Sequence, residues 1–402
     1  MRARTEEAIG LMMQFGVRTG LLGDHPQRCY LWTDAFAVCN FLYLARAASD
    51  ARYKELALEL VQRVHHVLGR HRDDDRRTGW ISGLSDDLGE AHPTRGGLRI
   101  GKPLPERVPD RRADDRLEWD RDGQYFHYLT KWMHALDQVT RMTGQTIFSR
   151  WARELMHTAH RTFTYRPRGG GPRMFWKLSI DLSRPLVESM GQHDSLDGLI
   201  TCLQLEATAG ARDPHLDAAI ADFAAMIDPR QLATPDPLGI GGLLADACRV
   251  AQLGPPAAGD HDLVESLLAA ALVGIRQYVR EPDLRMPADG RLAFRELGLA
   301  IGLAAIEGDA WREASHAARG WVDQLSRYLP LRAEIESFWL QPAHRQAASW
   351  LQHADINDVM LATSLRPEGF LVLSPPPREL DLIVEQGDRA MTARAACADP
   401  TP

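Results

Sequence analysis

The sequence predicts an all-α protein, an (α/α)6 toroid whose long loops lie on the rim where the inner helices begin. Three observations carry this. Helical apolar patterns follow one another with almost no strand signal; they come in pairs; and in each pair the first member is apolar on nearly every side while the second is amphipathic. Uniform burial of one set and one-sided burial of the other is what two concentric layers demand.

The first pair is 33–48 (TDAFAVCNFLYLARAA) with RYKELALELVQRVHHVL, broken at Ser49-Asp50. The second runs from Asp122 to Thr143, breaks at Gly144-Gln145, and resumes as IFSRWARELMHTAHRTF. LDGLITCLQLEATAG with ARDPHLDAAIADFAAMI is the third, and LGIGGLLADACRVAQLG with HDLVESLLAAALVGIRQYV the fourth. The fifth is AFRELGLAIGLAAIEG with GDAWREASHAARGWVDQLSRYL. A sixth buried-type helix, INDVMLATSL, has no amphipathic partner after it, whereas the amphipathic helix from Glu6 to Arg18 has none before it. Pairing those two closes a ring; an open solenoid leaves the first helix unexplained. The expected toroid spans 1–372, and 373–402, rich in proline and alanine, is expected to be a poorly ordered tail.

Connection lengths point to the functional end. Where inner helices end the turns are short; where they begin the connections are long, about 70–121, 166–194 and 330–354. Long irregular connections in a compact domain are usually lids or binding loops.

Composition narrows the function. Of 402 residues, 45% are hydrophobic and 25% charged, with a net charge of −7, which excludes a disordered or fibrous chain. An acidic balance offers no footprint for nucleic acid or an anionic membrane, and no run reaches the roughly 18 apolar residues of a membrane span. The N-terminus lacks the apolar block of a secretory signal. Five scattered cysteines form no C-x-x-C pair, so reduced thiols in a cytoplasm are expected. Only four of the 47 basic residues are lysine (Lys54, Lys102, Lys131, Lys177), and a lysine kept against such a bias suggests a site that wants a compact ammonium.

Polar residues in the first turns of buried helices are the anomaly. The first inner helix offers Trp32 and Asp34. The second offers Glu118, Trp119, Asp120, Asp122, Gln124, Tyr125, His127 and Lys131, of which 120, 124, 127 and 131 share a face by helical spacing. The third offers Gln192, His193, Asp194 and Asp197; the fifth Arg295 and Glu296; the sixth His353, Asp355, Asn357 and Asp358. Trp176 joins them from the 166–194 connection. Capping accounts for any one of these aspartates but not for the accompanying aromatics and amides. Planar rings, carboxylates and amides together suit a small polyol or an oligosaccharide.

Sugar chemistry requires paired acids, one to protonate the leaving oxygen and one to activate water or attack the anomeric carbon. The expected pair is Asp122 or Asp120 opposed to Asp194, with Glu296 and Asp358 in reserve. No cofactor is called for, and no H-E-x-x-H or cysteine cluster supports a metal, although His193, Asp194, His353 and Asp355 are the types that bind one. GGLRIGKP (96–103) follows no strand, which argues against a phosphate loop. RPRGGGPR (166–173) is expected as a lid hinge, and RDDDRR (72–77) as a solvated charge run.

The alternation seen in LARAASDARYKELA and VTRMTGQTIFSRWA resembles that of the six-hairpin glycosidase-like superfamily over about residues 5–370. YLWTDAFAVCNFLYLARA is similar to the start of the N-acylglucosamine 2-epimerase group, and QHDSLDGLITCLQLEATAG resembles the His-Asp helix start of unsaturated glucuronyl hydrolases. The second likeness implies an aspartate general acid/base. The first implies a sugar epimerase working through two histidines, from among His127, His193 and His353. A glycoside hydrolase is the leading expectation, with the epimerase and a non-catalytic glycan- or protein-binding toroid as alternatives.

Overall fold

A computed structural model describes residues 2–109, 114–210, 212–254, 261–280 and 283–374. Six helices form the inner ring: α2 (Leu31–Ala47), α4 (Phe126–Thr143), α6 (Asp194–Ala209), α8 (Pro237–Leu253), α10 (Ala293–Ile306) and α13 (Ala354–Leu365). Each packs on the next, and α13 packs back on α2, so the ring is closed. Around it stand α3 (Ala51–Leu68), α5 (Thr146–Phe163), α7 (Pro214–Met226), α9 (His261–Tyr278), the pair α11 (His316–Leu325) and α12 (Leu329–Leu340), and finally α1 (Arg2–Arg18) against α13. The fold is the expected (α/α)6 toroid; the tail from 375 on lies outside the described residues.

Burial follows the pattern that predicted it. In α2 the run from Leu31 to Leu42 is buried without a break, whereas α3 buries Ala57, Leu60, Val61, Val64 and Leu68 on one side. The turns at the far end of the ring are tight because the chain enters left-handed backbone at Gly144 (φ 70°) and Gly210 (φ 65°), which glycine adopts without a Cβ clash. The seam is fastened by charge. Arg18, at the end of α1, donates to Asp355 at 2.8 Å and to Asp358 at 2.7 Å on α13.

Three boundaries differ from expectation, each for a physical reason. The second inner helix starts at Phe126 and not at Asp122, because Gln124–Tyr125 is extended as β1 and pairs with β4 (Lys177–Leu178), itself paired with β5 (Pro185–Val187). Residues 120 and 124 therefore share no helical face with 127 and 131. The connection expected at 330–354 is helical in its first part. Pro330 stands in the first turn of α12, where its missing N–H costs nothing, and Leu331, Ile335 and Trp339 bury one face. The third difference is 72–77, which is no solvated run. Arg72 donates to Asp74, Asp122 and the Lys102 carbonyl, and Arg77 to Asp75, Glu106 and Asp181, so these charges fold the long 70–121 loop. The 166–172 segment is the tip of a hairpin between β2 (Thr164–Tyr165) and β3 (Arg173–Met174).

The closest helix contact in the inner ring is α8 on α10, where glycines meet. A Cβ added at Gly241 would stand 2.0 Å from the Gly298 carbonyl oxygen, and one at Gly302 would stand 2.5 Å from the Gly241 Cα. Gly241→Ala must push the two helices apart, at a cost of about 1–3 kcal/mol by the usual penalty for overpacking. Urea unfolding monitored by far-UV circular dichroism checks this; an unchanged midpoint would show that the helices separate freely.

Candidate functional site

A cavity of about 300 Å³ opens at the end of the toroid where the inner helices begin. Helical periodicity puts its polar groups there: Trp32 and Phe36 are one turn apart on α2, His127 and Lys131 one turn apart on α4, and Asp194 and Asp197 one turn apart on α6. Trp176 covers one side from the loop before β4, and His193, Asp236 and Asp246 complete the polar lining. Gly191 sits against Asp194 so closely that a Cβ there would stand 2.6 Å from the carboxylate oxygens.

The two acids on α6 are in opposite states. Burial first, and then the negative charge of Asp197, push the Asp194 carboxyl up to about 8, so it holds its proton at neutral pH. Burial pushes Asp197 the same way, but the Lys131 ammonium, 2.9 Å from Oδ1, outweighs it and holds that carboxyl below the ordinary value. Asp194 Oδ2 and His127 Nδ1 are buried and have no hydrogen-bond partner among the described residues, and 3.6 Å from Nδ1 to Oδ1 is too long to make one. Burial keeps His127 neutral, its imidazole lowered to about 4. Both residues line the cavity, so a ligand held there would lie beside them. Deeper in, burial and the charge of Asp197 raise Asp246, which accepts from Arg249 at 3.0 Å.

Aromatic rings stack around this pocket. Trp176 lies 5.4 Å from Tyr125 and 5.2 Å, edge-on, from the exposed Trp119, while Tyr125 is 5.3 Å from His127. Trp119 and Tyr125 thus support the wall behind Trp176 and His127. Of the expected residues, the cavity itself collects Trp32, His127, Lys131, Trp176, Gln192, His193, Asp194 and Asp197, with Gln192 donating to the Gln231 and Ala233 carbonyls. His193 bonds through Nε2 to the Leu232 carbonyl.

The structure gives other work to the remainder. Asp122, expected as a catalytic acid, is fully buried outside the cavity; it accepts from Arg72, Arg99 and the amides of Gly101 and Gly123, and so anchors the rim loop. Asp120 is exposed and away from the cavity lining. Glu296 is bound by Arg291 through both oxygens and by Trp339 Nε1. Asp34 accepts from the Tyr30 amide, with burial lifting it to about 7. Gln124 braces the loop through the Gly96 and Ile180 carbonyls, Asn357 donates to the Trp350 carbonyl, and Asp358 is held by Arg18. His353 is exposed and packs edge-on to Phe294, and Arg295 reaches the site only by donating to Asp236 at 2.6 Å. Among the described residues no cluster of three or more His, Cys, Asp and Glu is placed to hold a metal ion.

Sequence reasoning missed Asp236 and Asp246. Both left a signal: Asp236 precedes Pro237 in the manner of a helix N-cap, and Asp246 is a charge in the middle of an otherwise apolar inner helix. Two of the rim lysines meet the expectation of a site that wants an ammonium. Lys131 pairs with Asp197, and Lys177, fully buried, donates to the Glu118 and Arg121 carbonyls while burial lowers it to about 8.

No protein-family model matches the chain, and no curated protein matches it in sequence. Solved structures match it in fold. A glycoside hydrolase family 76 α-1,6-mannanase from Salegentibacter sp. HEL1_6 shares 12% identity, with 90% of this chain and 98% of that chain covered and a TM-score of 0.51. A family 76 α-mannanase from Bacteroides thetaiotaomicron shares 10% identity over 91% and 96%, with a TM-score of 0.54. Cellobiose 2-epimerase from Spirochaeta thermophila DSM 6192 shares 13% identity over 90% and 96%, with a TM-score of 0.49. The likeness to the two mannanases is one of fold: the chain has the six-hairpin toroid that the sequence resembled.

The raised Asp194 carboxyl makes a prediction about stability. The unfolded chain releases this proton near the ordinary value of 3.8, whereas the folded chain keeps it to about 8, so the residue costs stability progressively as pH rises between those values. Asp194→Asn is expected to melt higher than the native protein at pH 8 and at almost the same temperature near pH 4. A Tm difference that does not grow with pH would show that the carboxyl is not held neutral.

Proposed function

We propose that this protein is a carbohydrate-active enzyme of the glycoside hydrolase kind. Asp194 protonates the leaving glycosidic oxygen as its bond to the anomeric carbon breaks, and the ionised Asp197 attacks that carbon; water then releases the sugar as Asp194 takes up a proton from it. The observation that carries this reading is the pair itself: two carboxyl groups one turn apart in one cavity, their environments driving their protonation in opposite directions. Trp32 and Trp176 offer flat faces to the C–H side of a sugar ring. The mannanase relatives support this class of chemistry only through shared fold, so the substrate is an open choice within oligosaccharides.

One observation favours a second reading, a sugar epimerase. His127 and His193 share the cavity, and two histidines are what an epimerase needs to remove a proton from a carbon and return it to the other face. His353, which lines no part of the cavity, is not available for this role. The reducing cytoplasm belongs to the same proposal; it is supported by Cys29, Cys39, Cys202 and Cys248, which are buried and free. No helix among the described residues is long and apolar enough to cross a membrane.

The readings separate on labelled oligosaccharides, α-1,6-mannotriose among them, and on free reducing sugars such as cellobiose. Under the hydrolase reading Asp194→Asn and Asp197→Asn each lower turnover by about 10²–10⁴. Native activity should fall as pH rises through about 8, where Asp194 loses its proton. If both variants turn over glycans normally while His127→Ala and His193→Ala abolish epimerisation, the epimerase reading replaces it. Saturable glycan binding with no turnover would instead identify a binding protein.

A further inference from the structure

The cavity is closed at its inner end. After α13 the chain folds back under the inner ring, and the ring of Phe370 stacks on Phe36 with centroids 4.3 Å apart. This plug is fastened to the inner helices: His134 Nε2 bonds the Phe370 carbonyl at 3.0 Å, Gln138 donates to the carbonyls of Gly369 and Val372, and Gln252 donates to that of Leu371. Beneath it stand Gln204, Arg249 and Asp137, all buried, with Gln204 accepting from Arg249 and donating to Asp137. A ligand entering from the rim therefore stops at Phe370.

The side wall carries a second feature. Gly242, within α8, is half-buried, and a Cβ added there would meet no atom within 4 Å. Gly241, next to it, is held to glycine by the α10 backbone; Gly242 is not, and its missing side chain leaves open space in the cavity lining. Glycine inside a helix costs about 0.5–1 kcal/mol relative to alanine, so a glycine with room for a side chain is explained by whatever occupies that room. Asp194, whose buried Oδ2 has no partner among the described residues, lines the same cavity.

We infer that this is a blind pocket for the terminal unit of a saccharide, its depth set by Phe370 and its width by Gly242, so that the protein acts at chain ends or on short free saccharides and not within a polymer. This rests on the sugar-enzyme reading above. A volume of about 300 Å³ is at the small end of ligand pockets.

The test measures binding by calorimetry in the Asp194→Asn background, with mannose, glucose and glucuronate series from monosaccharide to hexasaccharide. Affinity should level off by the second unit. Gly242→Leu added to that background should weaken binding about tenfold or more, and Gly242→Ala less, while both keep or raise Tm. Affinity that climbs through to the hexasaccharide, or Gly242→Leu binding as tightly as its parent, overturns the blind pocket and leaves the sugar reading standing. Release of internal fragments from a polymer by the native enzyme does the same. No binding in any series, with Tm intact, removes the sugar reading and this inference with it.

Discussion

A helix buried on every side has nowhere to leave an unpaired charge, and that constraint organises the molecule. Each polar side chain of the inner ring must find a partner in protein or face the space at its centre. Most find partners. Glu296 takes an arginine and an indole, Asp358 the arginine that closes the seam, and in the rim loop Asp122 takes two arginines and two amides. Asp194 and His127, each with a buried atom that has no partner among the described residues, line the cavity, while Asp137, Thr201 and Asn357 keep such an atom outside its lining.

The same rule explains what was legible in the sequence. Uniform burial against one-sided burial is written in the order of apolar residues, so the double ring and its closure by α1 could be read directly. That the cavity lies at the rim of the inner-helix starts followed from loop lengths, and its lining by Asp194, Asp197, His127, Lys131 and Trp32 followed from polar and aromatic residues in early turns. Partners, however, come from distant segments. Nothing near Asp122 in sequence announces Arg72 or Arg99, and nothing near Glu296 announces Trp339. Spacing places a carboxylate at a rim, but only the fold shows whether it is already engaged. The charge run 72–77 misled for the same reason, since its arginines bind acids up to 104 residues away, as in the Arg77–Asp181 pair.

Several features of the site work against stability. A neutral carboxyl is kept where the unfolded chain would ionise it, glycine stands where alanine would fit, and two polar atoms lack partners. Binding sites commonly retain such defects because repairing them fills or neutralises the place the ligand needs.

The seam has a further consequence for how the chain is made. The helix that opens the sequence waits for α13 to cover it, and the chamber acquires its floor only when the segment around Phe370 arrives. Synthesis proceeds from the N-terminus, so the apolar flanks of α1 and α2 that pack on α13 stay uncovered until α13 has been made. Long-range closure of this kind slows folding, and it leaves the nascent protein dependent on shelter from its neighbours until the circle is complete.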